Sequence, residues 1–414
     1  MREMKNSGIA WIGEIPADWS LVRFKDKYIN KKEIAGEKSS EYERLALTLN
    51  GVIKRPKDDS EGLQPKEFDG YQILRENDFV FKMIDLQNIS TSRVGLSPYT
   101  GLVSPAYIKF SPRKKEQNNK FVYYYLMSLY YNCVYNNLGG NGVRSALNAK
   151  DMGEFHIPYP EETLQRQISD LLDEKSTQIQ TLIANQEAQI EKLKQYKQSL
   201  ITEVVTKGLN PNVEMKDSGI EWIGCIAKDF QIIRLKFIAD ILDQYRKPIT
   251  ADMRSQEGDV LYDYYGASGA IDKIDGYTID DHVMLIGEDG ANLRMRNLPL
   301  MYEVNGKAWI NNHAHILKPK DNIIFHYLFY ALEALDINPY ITGSAQPKLN
   351  QENLKIIPVP VPAIKIQKEI VEFILEKHRK IDNLIEIKQS KITKLNEYKK
   401  SLIYEYVTGK KEVC

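Results

Sequence analysis

The sequence feature that most constrains this chain is a helical pattern that runs without a break from Glu161 to Gly208. Pro160 and two glutamates open it, where carboxylates suit the positive end of the helix dipole. Apolar side chains recur mainly at intervals of three, four and seven residues, which places them along one side. At about 1.5 Å per residue, roughly forty helical residues reach about 60 Å, too long for the core of one small domain. The helix therefore needs an equally long partner.

A second copy of this helix occupies Ile370 to Thr408 at a constant offset, so that Tyr196-Lys197 returns as Tyr398-Lys399. A match of this length without gaps is typical of an internal duplication rather than of two unrelated helices. We predict that the two helices form an antiparallel coiled coil, with a seam that is polar in places. The predicted interface residues are Leu172, Ile179, Leu182, Leu193 and Tyr196, facing in reversed order Ile374, Ile381, Leu384, Leu395 and Tyr398.

The duplication extends beyond the helices. The opening Ser-Gly-Ile-x-Trp-Ile-Gly at Ser7 returns at Ser218, and the Ile-Pro-x-Pro piece that ends at Pro160 returns with its end at Pro360. The order is therefore globular part, long helix, globular part, long helix. Such an order brings the two globular parts to opposite ends of an antiparallel helix pair.

The globular parts themselves differ. Each contains short β-like runs separated by turn residues, and one aromatic helical segment, 121–129 in the first and 324–332 in the second, which we expect to be core. The predicted fold class is α+β: two mixed α/β domains separated by two long antiparallel coiled-coil helices, with an internal pseudo-two-fold repeat. The predicted boundaries are 1–158 for the first domain, 159–210 for the central helix, 211–359 for the second domain and 360–414 for the C-terminal helix.

The bulk properties narrow the class of protein. With 414 residues, no long apolar run and no hydrophobic core near the N-terminus, the sequence predicts neither a membrane span nor an export signal. Cys133, Cys225 and Cys414 are far apart and have no metal or redox spacing, which fits a reducing cytoplasm. The formal net charge is zero, which argues against a free-standing, avid nucleic-acid binder but allows one that acts with charged partners.

No defensible catalytic motif is present in the sequence, and three short patterns are better explained by structure. Asn338-Pro-Tyr340 is only a fragment of an adenine methyltransferase motif. The glycine-containing stretches 265–269 and 287–290 fit turns between strands better than phosphate loops. His313-x-His315 lacks further ligands, so no metal site is predicted.

The duplicated motifs together resemble the specificity subunits of Type I restriction–modification systems. The resemblance covers essentially the whole chain, and it is the duplicated order of the motifs that is specific. Besides the openings and the proline pieces, it is carried by the Gln-Arg-Gln-Ile and Gln-Lys-Glu-Ile helix starts at Gln165 and Gln367, and by the Tyr-Lys-x-Ser-Leu-Ile ends at Tyr196 and Tyr398.

The resemblance implies a non-catalytic subunit in which each domain is a target-recognition domain that reads one half of a bipartite sequence in double-stranded DNA. It implies that the paired helices set the spacer and dock two modification subunits, which use S-adenosylmethionine to methylate adenine. Restriction subunits, with ATP-driven translocase and nuclease activity, are expected to join the full complex. No cofactor is expected in this chain, while S-adenosylmethionine, ATP and Mg are expected on the partners.

DNA reading needs cations on phosphates and hydrogen-bonding side chains at base edges. Candidates lie in glycine- or proline-containing loops, and the loops around Arg144 and Lys348 occupy matching places just before a shared scaffold piece. In the first domain the candidates are Lys54, Arg55, Lys57, Arg93 and Arg144. In the second domain they are Arg246, Lys247, Asn292, Arg294, Arg296, Gln346 and Lys348.

Two other functions were weighed. One is an enzyme, a single-chain fusion of methyltransferase and specificity subunit, against which the missing cofactor and catalytic motifs argue. The other is a structural protein whose paired helices hold two interaction domains for protein partners, an alternative that the neutral net charge leaves open.

Overall fold

The computed structural model describes residues 2–48, 51–59, 67–84, 86, 93–114, 117–138, 146–250, 254 and 260–413. The chain divides into two compact units. Unit 1 consists of Met1–Gln186 and Ser390–Cys414, and unit 2 consists of Glu187–Gln389. Each unit therefore takes part of both long helices. The division predicted from sequence, with each long helix as a segment of its own, stays a prediction.

Unit 1 is built from short strands and a few helices. Its elements are β1 (Met4–Asn6), β2 (Glu14–Pro16), β3 (Ser20–Arg23), α1 (Phe24–Lys27), β4 (Tyr28–Ile29), β5 (Arg44–Thr48), β6 (Gly51–Arg55), β7 (Gln72–Leu74), β8 (Phe79–Phe81), β9 (Val94–Leu96), β10 (Gly101–Val103), β11 (Ile108–Pro112), α2 (Asn119–Tyr131), α3 (Val134–Leu138), α4 (Ala149–Gly153), β12 (His156–Tyr159) and the first part of α5 (Glu162–Lys207).

The described strands of unit 1 form two four-stranded sheets, in the orders β6-β5-β10-β7 and β4-β11-β8-β9, and two separate pairs, β1-β2 and β3-β12. Its core is aromatic. Phe24 stacks on Tyr28 at 4.5 Å between ring centroids and meets Phe110 edge-on at 4.9 Å. Helix α2 buries most of its residues, including Tyr124 and Tyr125, as expected for a core segment. The tyrosines of this helix are therefore explained by packing in the core, and no base-stacking role is needed to account for them.

Unit 2 carries longer strands. Its elements are the remainder of α5, β13 (Met215–Asp217), β14 (Cys225–Ala227), β15 (Gln231–Arg234), β16 (Ala239–Ile241), β17 (Leu261–Gly266), β18 (Gly269–Asp275), β19 (Ile279–Gly287), α6 (Asn292–Met295), β20 (Met301–Ile310), β21 (Ala314–Pro319), α7 (Phe325–Ala334), α8 (Gln351–Ile356), β22 (Pro358–Val361) and the first part of α9 (Ile364–Val407).

One six-stranded sheet dominates unit 2, in the order β16-β21-β19-β20-β17-β18. Its centre is the long antiparallel pair β19-β20, in register from Ile279 with Ala308 to Ile286 with Met301. One core of the unit joins this sheet to α7 and to both long helices, through residues such as Met284, Tyr327 and Ile374. The sheets of the two units therefore differ in strand number and order.

A common frame surrounds these unlike sheets. Strand β3 pairs with β12 just as β15 pairs with β22, antiparallel and over four residues each. At the start of each long helix a buried glutamine donates its side-chain amide to a proline carbonyl, from Gln165 to Pro160 at 2.8 Å and from Gln367 to Pro362 at 2.9 Å. The repeated sequence motifs therefore build the repeated structure, and the fold class α+β with an internal repeat is confirmed.

The long helices run antiparallel within unit 2. Lys197 donates to both carboxylate oxygens of Asp382 at 2.8 and 2.9 Å, and Lys388 donates to Gln189. From the first pair to the second, the residue number falls from 197 to 189 in α5 and rises from 382 to 388 in α9, so the helices run in opposite directions. These exposed polar pairs show which positions of the two helices lie side by side.

Only some of the residues predicted to form the interface between the long helices are buried. Among the predicted interface residues, Leu172 and Ile179 in unit 1 and Ile374 and Ile381 in unit 2 are buried. Leu193 and Leu395 are half-buried.

The remaining four predicted interface residues are 45–53% exposed, so their assignment to the seam is wrong: they are Leu182, Tyr196, Leu384 and Tyr398. Successive residues of a helix lie about 100° apart, so two neighbours cannot both face the partner. Ile183, directly after Leu182, is only 4% exposed and takes the seam position. The sequence periodicity was compatible with either neighbour.

Each long helix ends on a left-handed glycine that touches the opening segment of a repeat. Gly208 has a φ of +74°, and a Cβ there would lie 3.4 Å from the ring of Phe230. Gly409 has a φ of +72°, and a Cβ there would lie 2.4 Å from the ring of Pro16. The two ends thus share a backbone conformation but differ in the space around it. None of the helices in the described part of the chain has the length and apolar character needed to cross a bilayer.

This difference predicts unequal costs for two equivalent substitutions. Gly208→Ala should lower the free energy of unfolding by about 1 kcal/mol, the cost of the left-handed conformation. Gly409→Ala should lower it by about 2–4 kcal/mol, because the rigid ring of Pro16 must also move. Urea titrations of both variants measure this, and equal losses would contradict the packing described for Gly409.

Candidate nucleic-acid interface

In unit 2, a narrow loop connects Thr342 to Lys348. Its two ends exchange backbone hydrogen bonds of 2.8 Å in both directions. Gly343 has a φ of +77°, and a Cβ there would lie 2.3 Å from the carbonyl oxygen of Gln346, so only glycine fits. Gln346 is exposed within the loop. The loop therefore presents two predicted DNA contacts, Gln346 and Lys348, on a fixed backbone.

A charged network lies beneath this loop. Lys348 Nζ lies 3.1 Å from one carboxylate oxygen of Glu288, and Arg246 donates to the other. Arg246 also lies 3.2 Å from Asp243, whose carboxylate is 2.6 Å from Nδ1 of His315. Both predicted cations, Arg246 and Lys348, thus meet on the same glutamate.

The network also contacts the backbone at the end of the Thr342–Lys348 loop. Nε2 of His315, which is 1% exposed, lies 2.8 Å from the carbonyl oxygen of Leu349. The backbone nitrogen of Leu349 donates to the carbonyl of Glu288 at 2.7 Å. The residue after Lys348 is therefore held at both of its backbone polar groups, which fixes the base of the loop.

The carboxylates of the network are stabilised in their charged form. Partial burial raises the pKa of Glu288, but hydrogen bonds from Arg246 and Lys348 outweigh burial, so that the pKa is lowered overall. Burial likewise raises the pKa of Asp243, and the hydrogen bond from His315 with other contacts lowers it below its ordinary value. Both groups therefore carry negative charge near neutral pH.

Lys247 takes a different direction from its neighbour Arg246. Its Nζ lies 5.5 Å from the ring centroid of Trp309, and the indole nitrogen of Trp309 donates to the Lys247 carbonyl at 2.8 Å. The two residues line a cavity of about 580 Å³ together with Arg254, Tyr264 and others. Lys247 is therefore placed at an accessible surface.

The stretch 292–296 mainly supports its surroundings. Asn292 donates to the carbonyls of its own loop at 298 and 299. Arg294 donates to the carbonyl of Gly343 at 3.3 Å, and so steadies the loop that carries Gln346. Arg296 is left-handed at φ 52° and donates to the carbonyl of Leu335 at 2.7 Å, while burial lowers its pKa. DNA contact by these three residues stays a prediction.

In unit 1, three predicted contacts lie on the β5-β6 hairpin and the turn after it. Lys54 pairs with Glu43 at 2.6 Å and lies 5.3 Å from the ring of Tyr99. Arg55 pairs with Asp59, and Lys57 donates to the carbonyl of residue 39 at 2.7 Å. These cations, like those of unit 2, are engaged with acceptors of their own unit.

Arg93 contradicts its prediction as a DNA contact. It is fully buried, and its guanidinium donates to the carbonyls of Ile84 at 3.3 Å and Leu86 at 3.0 Å. Loop-like neighbours suggested an exposed side chain, but the guanidinium serves buried carbonyls instead. Arg144 lies outside the described residues, so its prediction stands on sequence alone.

The three patterns set aside in the sequence have structural roles. The 265–269 stretch is the β17-β18 hairpin turn, and it packs on the 287–290 turn, where a Cβ on Gly287 would lie 2.7 Å from the carbonyl of Ala267. Tyr340 packs edge-on against Trp222 at 5.7 Å. His313 pairs with Asp289 at 2.7 Å. Among the described residues, no group of three or more potential ligands is arranged to hold a metal ion.

Each unit also carries large exposed apolar residues on its parts of the long helices. Tyr196 and Leu384 belong to unit 2 and are 53% and 45% exposed. Leu182 and Tyr398 are the matching residues of unit 1. We call these two sets the helix patches.

Sequence reasoning missed the acidic half of the network. Asp243 and Glu288 are separated from each other and from Lys348 by long stretches of chain, and carboxylates are not the usual candidates for DNA contact. Only the folded sheet brings them beneath the loop. The glycine pattern around Glu288 was visible, but it indicated only a turn.

The family model of the type I restriction modification DNA specificity domain matches this chain twice, at residues 21–192 and 227–397. One match falls on each repeat. Together the matches cover most of the chain.

Curated relatives and a solved structure agree with this match. The chain is 24% identical to the type I restriction enzyme MjaVIII specificity subunit of Methanocaldococcus jannaschii, over 96% of this chain and 93% of the relative. It is 33% identical to a protein provisionally named as a type I restriction enzyme specificity subunit in Haemophilus influenzae, over about a third of each chain. A chain from a structural study of the assembly and conformational transition of a type I R-M system shares the fold, with a TM-score of 0.69, 13% identity and coverage of 95% and 98%.

Proposed function

This chain belongs to the type I restriction modification DNA specificity family, and from that premise we propose that each repeat reads one half of a bipartite double-stranded DNA target. As a specificity subunit with two DNA-specificity domains, it is a non-catalytic recognition subunit. The observation that carries the proposal is the combination of a common frame with unlike sheets. Two different readers on one repeated scaffold suit a target with two different halves.

The loop at Thr342–Lys348 is the proposed reading element of unit 2. The amide of Gln346 has the donor and acceptor needed for the edge of adenine, and Lys348 can bind guanine or a phosphate. The fixed backbone supports this role, because ordering a loop on binding would cost affinity. In unit 1 the β5-β6 hairpin, with Lys54 and Lys57, and the segment around Arg144 are the corresponding proposal.

The long helices are the proposed spacer. Both are continuous, and within unit 2 they lie side by side in one register, with Lys197 paired with Asp382. A rigid pair of set length would determine how many unread base pairs separate the two half-sites.

The helix patches are the proposed docking surface for two modification subunits. Contiguous exposed apolar surface marks interaction sites, and each patch would contribute two large apolar side chains that are 45–53% exposed. The patches occur twice at equivalent positions of the duplication, which fits two copies of one partner. S-adenosylmethionine would be bound by those partners, and ATP and Mg by restriction subunits that complete the enzyme. Because the proposed complex would act on DNA inside the cell, its proposed location is the cytoplasm.

The reading proposal predicts separable half-site effects. In the complex reconstituted with modification subunits, Lys348→Ala should weaken binding to one half-site about tenfold, the loss of one base or phosphate contact. Arg144→Ala should weaken binding to the other. Gel-shift titrations on DNA with either half scrambled assign each loss. Equal losses on unrelated DNA for both variants would mean that neither residue reads sequence.

The docking proposal predicts a change of stoichiometry. Replacing Tyr196 and Leu384 by Asp should remove one of two modification subunits, because buried apolar contact is exchanged for charge. Replacing Leu182 and Tyr398 by Asp should remove the other. Light scattering of the purified complexes gives the subunit ratio.

The control for this experiment is Lys192→Asp with Lys394→Asp, which changes exposed polar positions at equivalent places of the two helices. It should leave two modification subunits bound. Retention of both subunits by a variant with all four helix-patch residues changed would refute the docking surface.

The spacer proposal predicts a shift in the gap between half-sites. One heptad inserted after Gln186 and another after Gln389 keep the seam in phase and lengthen the pair by about 10.5 Å. The preferred gap should grow by about three base pairs, given about 3.4 Å per base pair. Selection from a DNA library with variable gaps measures it. Altered half-site sequences at an unchanged gap would contradict the spacer role.

A further inference from the structure

Glu288 holds two predicted DNA-contacting cations of unit 2, Lys348 and Arg246, from beneath. Its side chain is 14% exposed, whereas that of Lys348 is 53% exposed. Lys348 therefore reaches solvent while its ammonium group is held 3.1 Å from the glutamate. Arg246, with 19% exposure, is held by Asp243 as well and has less freedom to leave.

The pairing of Lys348 changes what a phosphate gains by approaching it. A phosphate must displace the carboxylate, and Arg246 keeps that carboxylate in place, so its negative charge stays near the DNA backbone and repels it. Attraction to phosphates supplies most of the affinity for unrelated DNA. A paired Lys348 therefore contributes little to binding that involves phosphates alone.

We propose that Glu288 is a specificity-determining residue, which restrains Lys348 so that the lysine contributes to binding only when the Thr342–Lys348 loop is seated on its matched bases. This inference rests on the proposed DNA-reading function. On unrelated DNA, Lys348 stays with Glu288 and the face remains weakly attractive. On the matched half-site, the close fit of the loop brings Lys348 to DNA and offsets the loss of its partner.

The backbone of Glu288 has a separate task, which makes the charge testable by itself. Its carbonyl accepts from Leu349 at 2.7 Å and its nitrogen donates to the carbonyl of His313 at 2.8 Å. Glu288→Gln keeps these bonds, the side-chain size and an oxygen acceptor for Lys348 or Arg246. The negative charge is removed, and one of the two acceptor oxygens becomes an amide group that donates.

The experiment measures how binding of the reconstituted complex to unrelated duplex DNA depends on salt. For Glu288→Gln, the slope of log K against log salt should become more negative by about 0.9, the value of one added phosphate contact. The ratio of specific to unrelated binding should fall. The matched control is Asp281→Asn, which removes a carboxylate from β19, the strand that ends directly before Glu288, where Asp281 pairs with Lys318. Its slope should equal that of the wild type.

Two further variants complete the test, and the first of them decides the matter even if Glu288→Gln folds poorly. Lys348→Gln alone should leave the slope on unrelated DNA unchanged, because the restrained lysine is not used there. Glu288→Gln with Lys348→Gln should return the slope to the wild-type value. If the slope for Lys348→Gln becomes less negative by about 0.9, the proposal is overturned, since Lys348 would then bind phosphates despite Glu288.

Failure of this inference is distinguishable from failure of the proposed function. A wild-type complex with no preference for any bipartite sequence would refute the reading function itself. A wild-type complex that shows the preference, with a slope that Glu288→Gln leaves unchanged, would refute only the role of Glu288.

Discussion

A long amphipathic helix must cover its apolar stripe, and this requirement organises the chain. Most of the stability of such a helix comes from the packing of its apolar face rather than from helical propensity. Here the duplication provides two such helices, which run antiparallel within unit 2, where Lys197 of one pairs with Asp382 of the other. The frame around each sheet is built onto the helix starts and ends, through buried glutamines and left-handed glycines.

The sequence predicted those parts of the fold that depend on local pattern or repetition. The two long helices, the matched openings and the core role of the aromatic helices all have periodic or repeated signals. Leu182 was misplaced because the apolar pattern fits two helical phases, and only packing shows that Ile183 takes the seam. Sheet order in the inserts depends on long-range pairing, for which neither insert carries a repeat signal.

The candidate interface was predictable at the level of loops but less so for single residues. Glycine marked the loop at Gly343 correctly, because its backbone requires that residue. Arg93 was misleading, because an arginine that serves buried carbonyls looks the same in sequence as one that faces solvent. The pairing of Arg246 and Lys348 on Glu288 joins three distant segments, so the charge state of this face is a property of the tertiary structure.

The central claim is that the two repeats read two half-sites at a fixed separation. Mapping methylated adenines by single-molecule sequencing, in cells that carry this chain with its modification subunits, tests it most directly. Two readers at a fixed separation should give a motif of two short defined segments, separated by a constant number of unspecified bases, with modification that depends on both segments. A single continuous motif, or modification that needs only one segment, would contradict it.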